Sequence, residues 1–119
     1  MAGPVAADLL ERMIEEVFNQ PDPQRRAAAI AEVFTDDVVF TDPERTVTGR
    51  DELAAVVTGL LAQGPGFVFT PDGPFRGVGD LGMRPWRLGP VGGDPVLGGL
   101  DVVQVVDGRI ARLWTALGT

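Results

Sequence analysis

Chemistry in this chain has to come from carboxylates. Of 119 residues none is His, Cys, Ser, Tyr or Lys, and all ten positive charges are Arg. A Ser or Cys nucleophile, a Schiff-base lysine and an imidazole acid-base group are therefore excluded. Zinc and non-haem iron sites normally draw on imidazole or thiolate, and no oxygen-ligand spacing for a hard cation is visible. Neither a metal nor another cofactor is expected. What remains is Asp or Glu as general base or acid, helped by Arg, Asn, Gln, Thr or indole donors.

Asp42 is the first candidate. It ends a β-branched and aromatic run, Val38 to Thr41, that Pro43 must stop, since proline cannot continue a ladder. Apolar Phe34 and Phe40 lie nearby in sequence, and desolvation makes a carboxylate hold a proton more tightly, as a general base requires. The bland alternative is that Asp before Pro is ordinary turn chemistry, capping a local amide. Gln104, in LDVVQVV, is the second candidate: its amide could donate to a ligand oxygen, or tie down a strand or a water. Trp86 offers an indole donor or a plain core aromatic. Arg84 should share its face and could meet Asp42 or an acidic ligand, although Pro85 can bulge the strand between them. Gly77 to Gly82 matches G-x-G-x-x-G by letter, but no helix follows and no βαβ unit surrounds it, so a nucleotide fingerprint is rejected.

The elements that must position these groups can be read from periodicity. Val5, Leu9, Met13 and Val17, with Leu10, Ile14 and Phe18, make an amphipathic helix. After a break at Asn19, Asp22 as N-cap and Pro23 at the first helical position start a second, with Ala27, Ile30, Ala31 and Phe34 inward and Arg25 and Arg26 solvated. Asp36 and Asp37 should close that helix end and open the strand. Thr48 and Asp51 have capping-box spacing before a third helix, striped by Leu53, Val56, Val57, Leu60 and Leu61 and ended by Gly64-Pro65. From Phe67 onward the period is two, with Gly- and Pro-rich turns around one strand near Met83 to Leu88. Helices followed by strands is α+β order.

Asp107-Gly108 is a preferred two-residue hairpin turn. An uninterrupted register from it pairs Val106 with Arg109, Gln104 with Ala111 and Val102 with Leu113 on one face. The other face then carries Val105 with Ile110, Val103 with Arg112 and Asp101 with Trp114. The neutral Gln104 face is expected to line a cavity. The Asp101 face, with Ile110, Arg112 and Trp114, is expected to form the back of the sheet, with Asp101 in a surface ion pair with Arg112.

Phe34 to Arg50 carries a resemblance. An aromatic with an Asp-Asp pair (Phe34, Asp36, Asp37), an Asp-Pro strand end (Asp42, Pro43) and Gly-Arg opening a helix (Gly49, Arg50) resemble the nuclear transport factor 2-like superfamily, which includes ketosteroid isomerases and SnoaL-like polyketide cyclases. The resemblance runs from the first helix to the last hairpin. It implies one domain over 1–119, a cone of three N-terminal helices packed on a strongly curved, mainly antiparallel sheet. It also implies a pocket lined by Phe34, Phe40, Val56, Leu60, Phe67, Phe69, Trp86, Val102, Leu113 and Leu117. Asp42 stands where the ketosteroid isomerases hold their proton-shuttling base. Gln104 stands where they hold a protonated aspartic acid, and their partner tyrosine has no counterpart here. The implied ligand is hydrophobic and oxygenated, polyketide-, steroid- or terpenoid-like, and the implied assembly is a homodimer through the convex sheet face. Three functions stay open: an isomerase or cyclase with Asp42 as base, a non-catalytic binding protein, and an assembly module. An epoxide hydrolase of this superfamily would need Asp42 or Asp101 beside Arg84, and the register above turns Asp101 away.

The composition is consistent with such a domain. A length of 119 residues allows one core, and a net charge of -7 opposes nucleic acid and anionic membranes as partners. The opening residues show neither a basic n-region nor an uninterrupted apolar run, so a cytoplasmic location is expected.

Overall fold

The computed structural model describes residues 3–118. Helix α1 (Gly3–Arg12) runs on as a π-helical segment, Met13–Phe18, and α2 is Pro23–Val33. Strands β1 (Phe34–Asp42) and β2 (Arg45–Thr48) precede α3 (Arg50–Gln63). Then come β3 (Phe67–Pro71), β4 (Arg76–Val78), β5 (Leu81–Pro90), β6 (Leu97–Val106) and β7 (Arg109–Leu117). The sheet order is β2-β1-β7-β6-β5-β3, with β4 paired to β5 beside β3. Among the described residues only β1 and β7 are parallel; every other pair is antiparallel. No helix among the described residues is long and apolar enough to cross a membrane.

The first helical stripe packs the core through Leu9, Leu10, Met13, Ile14, Val17 and Phe18. Val5 is exposed, and Ala6 is buried in its stead. The π-helical stretch ends at Asn19, whose amide donates to the Phe69 carbonyl and accepts from the Phe69 amide, both at 2.8 Å. This pair of hydrogen bonds fixes β3 to the end of the first helix. Asp22 caps α2 through the Gln24 amide at 2.9 Å, with Pro23 at the first turn.

The inner face of α2 differs from expectation. Ala29, Ile30 and Val33 are buried, while Ala27 and Ala31 are exposed. Arg26 is buried too, donating to the Gln20 carbonyl at 2.6 Å and to the Thr58 hydroxyl at 2.8 Å. Its guanidinium supplies the directed donors that join α2 to α3, which a solvated reading of a charge pair misses. Phe34 starts β1, and Asp36 and Asp37 are exposed within that strand, at a register shift between Phe34 and Val39. Helix α3 is capped not by Thr48 but by Gly49 at φ +96°. The Arg50 guanidinium donates to the carbonyls of Phe34 (2.7 Å) and Ala31 (3.0 Å), satisfying the end of α2. That contact is a physical reason for Gly-Arg at this point: glycine takes the positive φ and arginine ties two helices together.

The last hairpin carries the main correction. The turn pairs Val106 with Arg109 and Val105 with Ile110 as expected, but the register then slips. Gln104 pairs with Arg112, Val103 with Leu113, Val102 with Trp114 and Asp101 with Thr115. Ala111 is the extra residue of a bulge, and one extra residue reverses the facing of everything beyond it. The slip puts Ile110, Leu113 and Thr115 on one face and Arg112 and Trp114 on the other. The apolar face goes inward and takes Asp101 and Val103 with it. Gln104 therefore points away from the cavity, and its amide donates to Asp80 at 3.0 Å on the β4–β5 turn.

Candidate functional site

The helices and the concave face of the sheet enclose a cavity of about 310 Å³. Its aromatic wall is a run of edge-to-face contacts, Phe18 to Phe69 (5.6 Å between ring centres) and Phe69 to Trp86 (5.3 Å). Of the residues expected to line it, Phe40, Leu60, Phe67, Phe69, Trp86, Leu117 and Asp42 do so. Phe34, Val56 and Leu113 belong instead to the solid core. Val102 pairs with Trp114 on the opposite face, and Gln104 lies outside the cavity. Residues not anticipated there include Leu88, Leu97, Asp101 and Thr115, with Glu44, Arg45 and Gln63 beside Asp42.

A polar row crosses the concave face at one level. Arg84 on β5 is directly opposite Asp101 on β6, and Asp101 is directly opposite Thr115 on β7. One step beyond the Thr41–Trp114 pair, Asp42 on β1 falls beside Thr115. Two strand spacings separate the backbones of the two aspartates, about 10 Å. They line the same cavity in different surroundings.

Asp42 sits in the turn that its proline begins. Its Oδ1 accepts from the amides of Glu44 (2.8 Å) and Arg45 (3.0 Å), and its Oδ2 faces the Arg45 guanidinium at 3.5 Å. Both oxygens are thus engaged in local turn chemistry.

Asp101 is 6% exposed. Its one hydrogen bond among the described residues comes from the Thr115 hydroxyl to Oδ1 at 2.7 Å, which leaves Oδ2 free. Burial pushes its pKa up from 3.8 to about 6; the Thr115 hydroxyl, the Trp86 indole and the charge of Arg84 act in the opposite direction. Neither the Trp86 Nε1 nor the Arg84 NH2 closes a hydrogen bond with it, and both nitrogens are buried without a partner among the described residues. Trp86 is held in place by Gly99 across the ladder, where a Cβ would come within 2.5 Å of its ring. The sequence carried one signal for this arrangement. Ile110, Leu113 and Thr115 form a neutral inward set only if a residue between Ile110 and Leu113 bulges.

Among the described residues no three Asp or Glu side chains gather to hold a metal ion. Chemically, the cavity offers one carboxyl poised to gain or lose a proton near neutrality, an unused indole donor beside it and apolar walls.

A cone of helices over a bent, unclosed sheet with such a cavity defines the nuclear transport factor 2-like class. Within it the chain belongs to the SnoaL-like domain family, whose model matches residues 10–113. It is similar to the structure of a candidate isomerase of the SnoaL-like family from Agrobacterium tumefaciens, at 26% identity and TM-score 0.90 over 98% of this chain and 99% of that one. A candidate SnoaL-like polyketide cyclase from Jannaschia shares the fold at 15% identity and TM-score 0.81, covering 98% and 87% of the two chains. A candidate ketosteroid isomerase from Kribbella flavida does so at 19% identity and TM-score 0.74, covering 98% and 80%. The chain has no significant match among curated proteins.

Proposed function

We propose that the protein binds a hydrophobic carbonyl compound and moves a proton next to its carbonyl, as an isomerase or an aldol-type cyclase, with Asp101 as the base. The observation that carries this reading is the Asp101 carboxyl itself: buried at an apolar cavity, anchored through one oxygen by Thr115 and free at the other. A pKa near 6 leaves it mostly ionised at pH 7 yet basic enough to take a proton. In the step, the C–H bond α to the carbonyl breaks, the proton goes to Oδ2 and the electron pair moves to the carbonyl oxygen. Return of the proton at another carbon gives isomerisation; attack of the enolate carbon on a second carbonyl gives ring closure. The isomerase and cyclase names of the structural neighbours support this class.

Asp42 is the rival base, since it borders the same cavity with its side chain only 12% exposed. The test is deuterium uptake at the α-carbon of an enolisable ketone, 2-tetralone, followed by proton NMR in D2O. The native protein is expected to exceed the buffer rate. Asp101→Asn should cut exchange by about 10²-fold or more, with affinity changed only a few-fold. Loss in Asp42→Asn alone would move the base to the mouth. Binding without any exchange in the native protein would make it a carrier or binding module. The convex face, with Arg112 and Trp114, is the surface we assign to a homodimer; Gln104 joins it, while Ile110 lies in the core.

A further inference from the structure

The strongest unexplained feature of the cavity is a buried indole donor that stands beside the Asp101 carboxyl without completing a hydrogen bond. Trp86 is 4% exposed and lines the cavity, and its Nε1 completes no hydrogen bond among the described residues. An indole nitrogen can only donate, so what satisfies it must be an acceptor. Leaving such a group buried and unpaired costs about 1–3 kcal/mol, an unfavourable term that a ligand oxygen can remove. The ring cannot easily turn away to find another partner. Phe69 packs edge-on against it, and the missing side chain of Gly99 lets it lie close over β6.

Cavity size bounds the ligand. A volume of about 310 Å³ lies at the small end of the range for small-molecule sites. A compact ligand of one or two rings suits a site of that size. Charge bounds it further. An anionic ligand would meet the Asp101 carboxylate at depth and Asp42 and Glu44 toward Pro43, with Arg45 already engaged by both acids.

We infer that the specific ligand class is a neutral one- or two-ring ketone, or its enol, whose oxygen is seated on Trp86 Nε1 between the aromatic wall and Asp101. This rests on the cavity being a ligand site, and it gives the proposed reaction its missing part. With the carbonyl oxygen on the indole, the α-carbon lies one bond from the carbonyl carbon and can be turned toward the free Oδ2 of Asp101. Negative charge that develops on the oxygen then falls on a donor already in place, so no reorganisation is needed as the proton leaves. Trp86 thus selects the functional group, and the apolar wall selects the skeleton.

The experiment compares 2-tetralone with tetralin, the same two-ring skeleton without the oxygen, by calorimetric titration against the native protein and Trp86→Phe. Phenylalanine keeps an aromatic ring and removes the donor together with part of the indole's bulk, and tetralin reports the loss of packing alone. The expected result is a loss of about tenfold in affinity for the ketone, with tetralin changed less than about threefold; retained tetralin binding also shows that the variant is folded. An equal change for both probes, or no binding of either to the native protein, overturns the inference. So does tighter binding of a four-ring enone, androst-4-ene-3,17-dione, than of 2-tetralone. Failure here is separable from failure of the base assignment. Asp101→Asn should keep the ketone preference while losing deuterium exchange. Exchange in the native protein with no ketone-specific effect of Trp86→Phe would preserve the base and remove the seat.

Discussion

Burying a carboxyl that has one hydrogen bond should make this protein less stable as pH rises, and replacing Asp101 by Asn should remove that dependence. The pKa in the folded state is raised from 3.8 to about 6, so the folded protein binds the Asp101 proton more tightly than the unfolded chain. Well below pH 3.8 the group is neutral in both states and contributes no penalty. As pH rises through the interval up to about 6 the folded state must accommodate a buried charge, and above that the penalty is complete. A shift of about two units corresponds to about 3 kcal/mol, on the order of 10 °C in melting temperature for a domain of this size. Urea denaturation of the native protein and Asp101→Asn at pH 4 and pH 8 isolates the effect, because the other sixteen acidic residues are common to both chains. The stability difference between variant and native should move by about 2.5 kcal/mol in favour of Asn between the two pH values, since part of the unfolded-state ionisation is already complete at pH 4. If the two pH profiles run parallel, Asp101 is not held in the folded protein as a buried, sparingly bonded carboxyl. A variant that is more stable at neutral pH and inactive is also the expected sign of a site whose strain serves function.

Two further predictions concern the frame of the cavity. Asn19→Ala removes both hydrogen bonds to Phe69 and should cost about 2–3 kcal/mol, with amide exchange accelerating first in β3, because that strand bounds the cavity and among the described residues pairs with β5 alone. Protection in β3 equal to that of the native protein would rule out this anchoring role. On the convex face, Trp114 is 36% exposed with Arg112 6.0 Å from its ring, and Trp114→Glu should convert a dimer to monomer in sedimentation equilibrium. A native protein that sediments as a monomer at high concentration excludes that interface.

Much of the architecture is determined by the order of residues alone. The apolar stripe from Leu9 to Phe18, the Asp22-Pro23 helix start, the stop at Asp42-Pro43, the switch to a period of two at Phe67 and the Asp107-Gly108 turn all act through local sterics and hydrogen bonding. They need no knowledge of what packs across from them. The same holds for the exclusion of nucleophile, imidazole and thiolate chemistry, which follows from missing side chains. Which carboxyl enters the cavity was decided only in three dimensions. A single bulge at Ala111 exchanges the two faces of β7 relative to β6, because side chains alternate with a period of two and one added residue inverts them. It draws Asp101 and Thr115 inward and leaves Gln104 with Arg112 and Trp114 outside. Arg26 was decided in the same way, since its burial depends on a carbonyl at Gln20 and a hydroxyl on α3 that only the packed helices bring within reach.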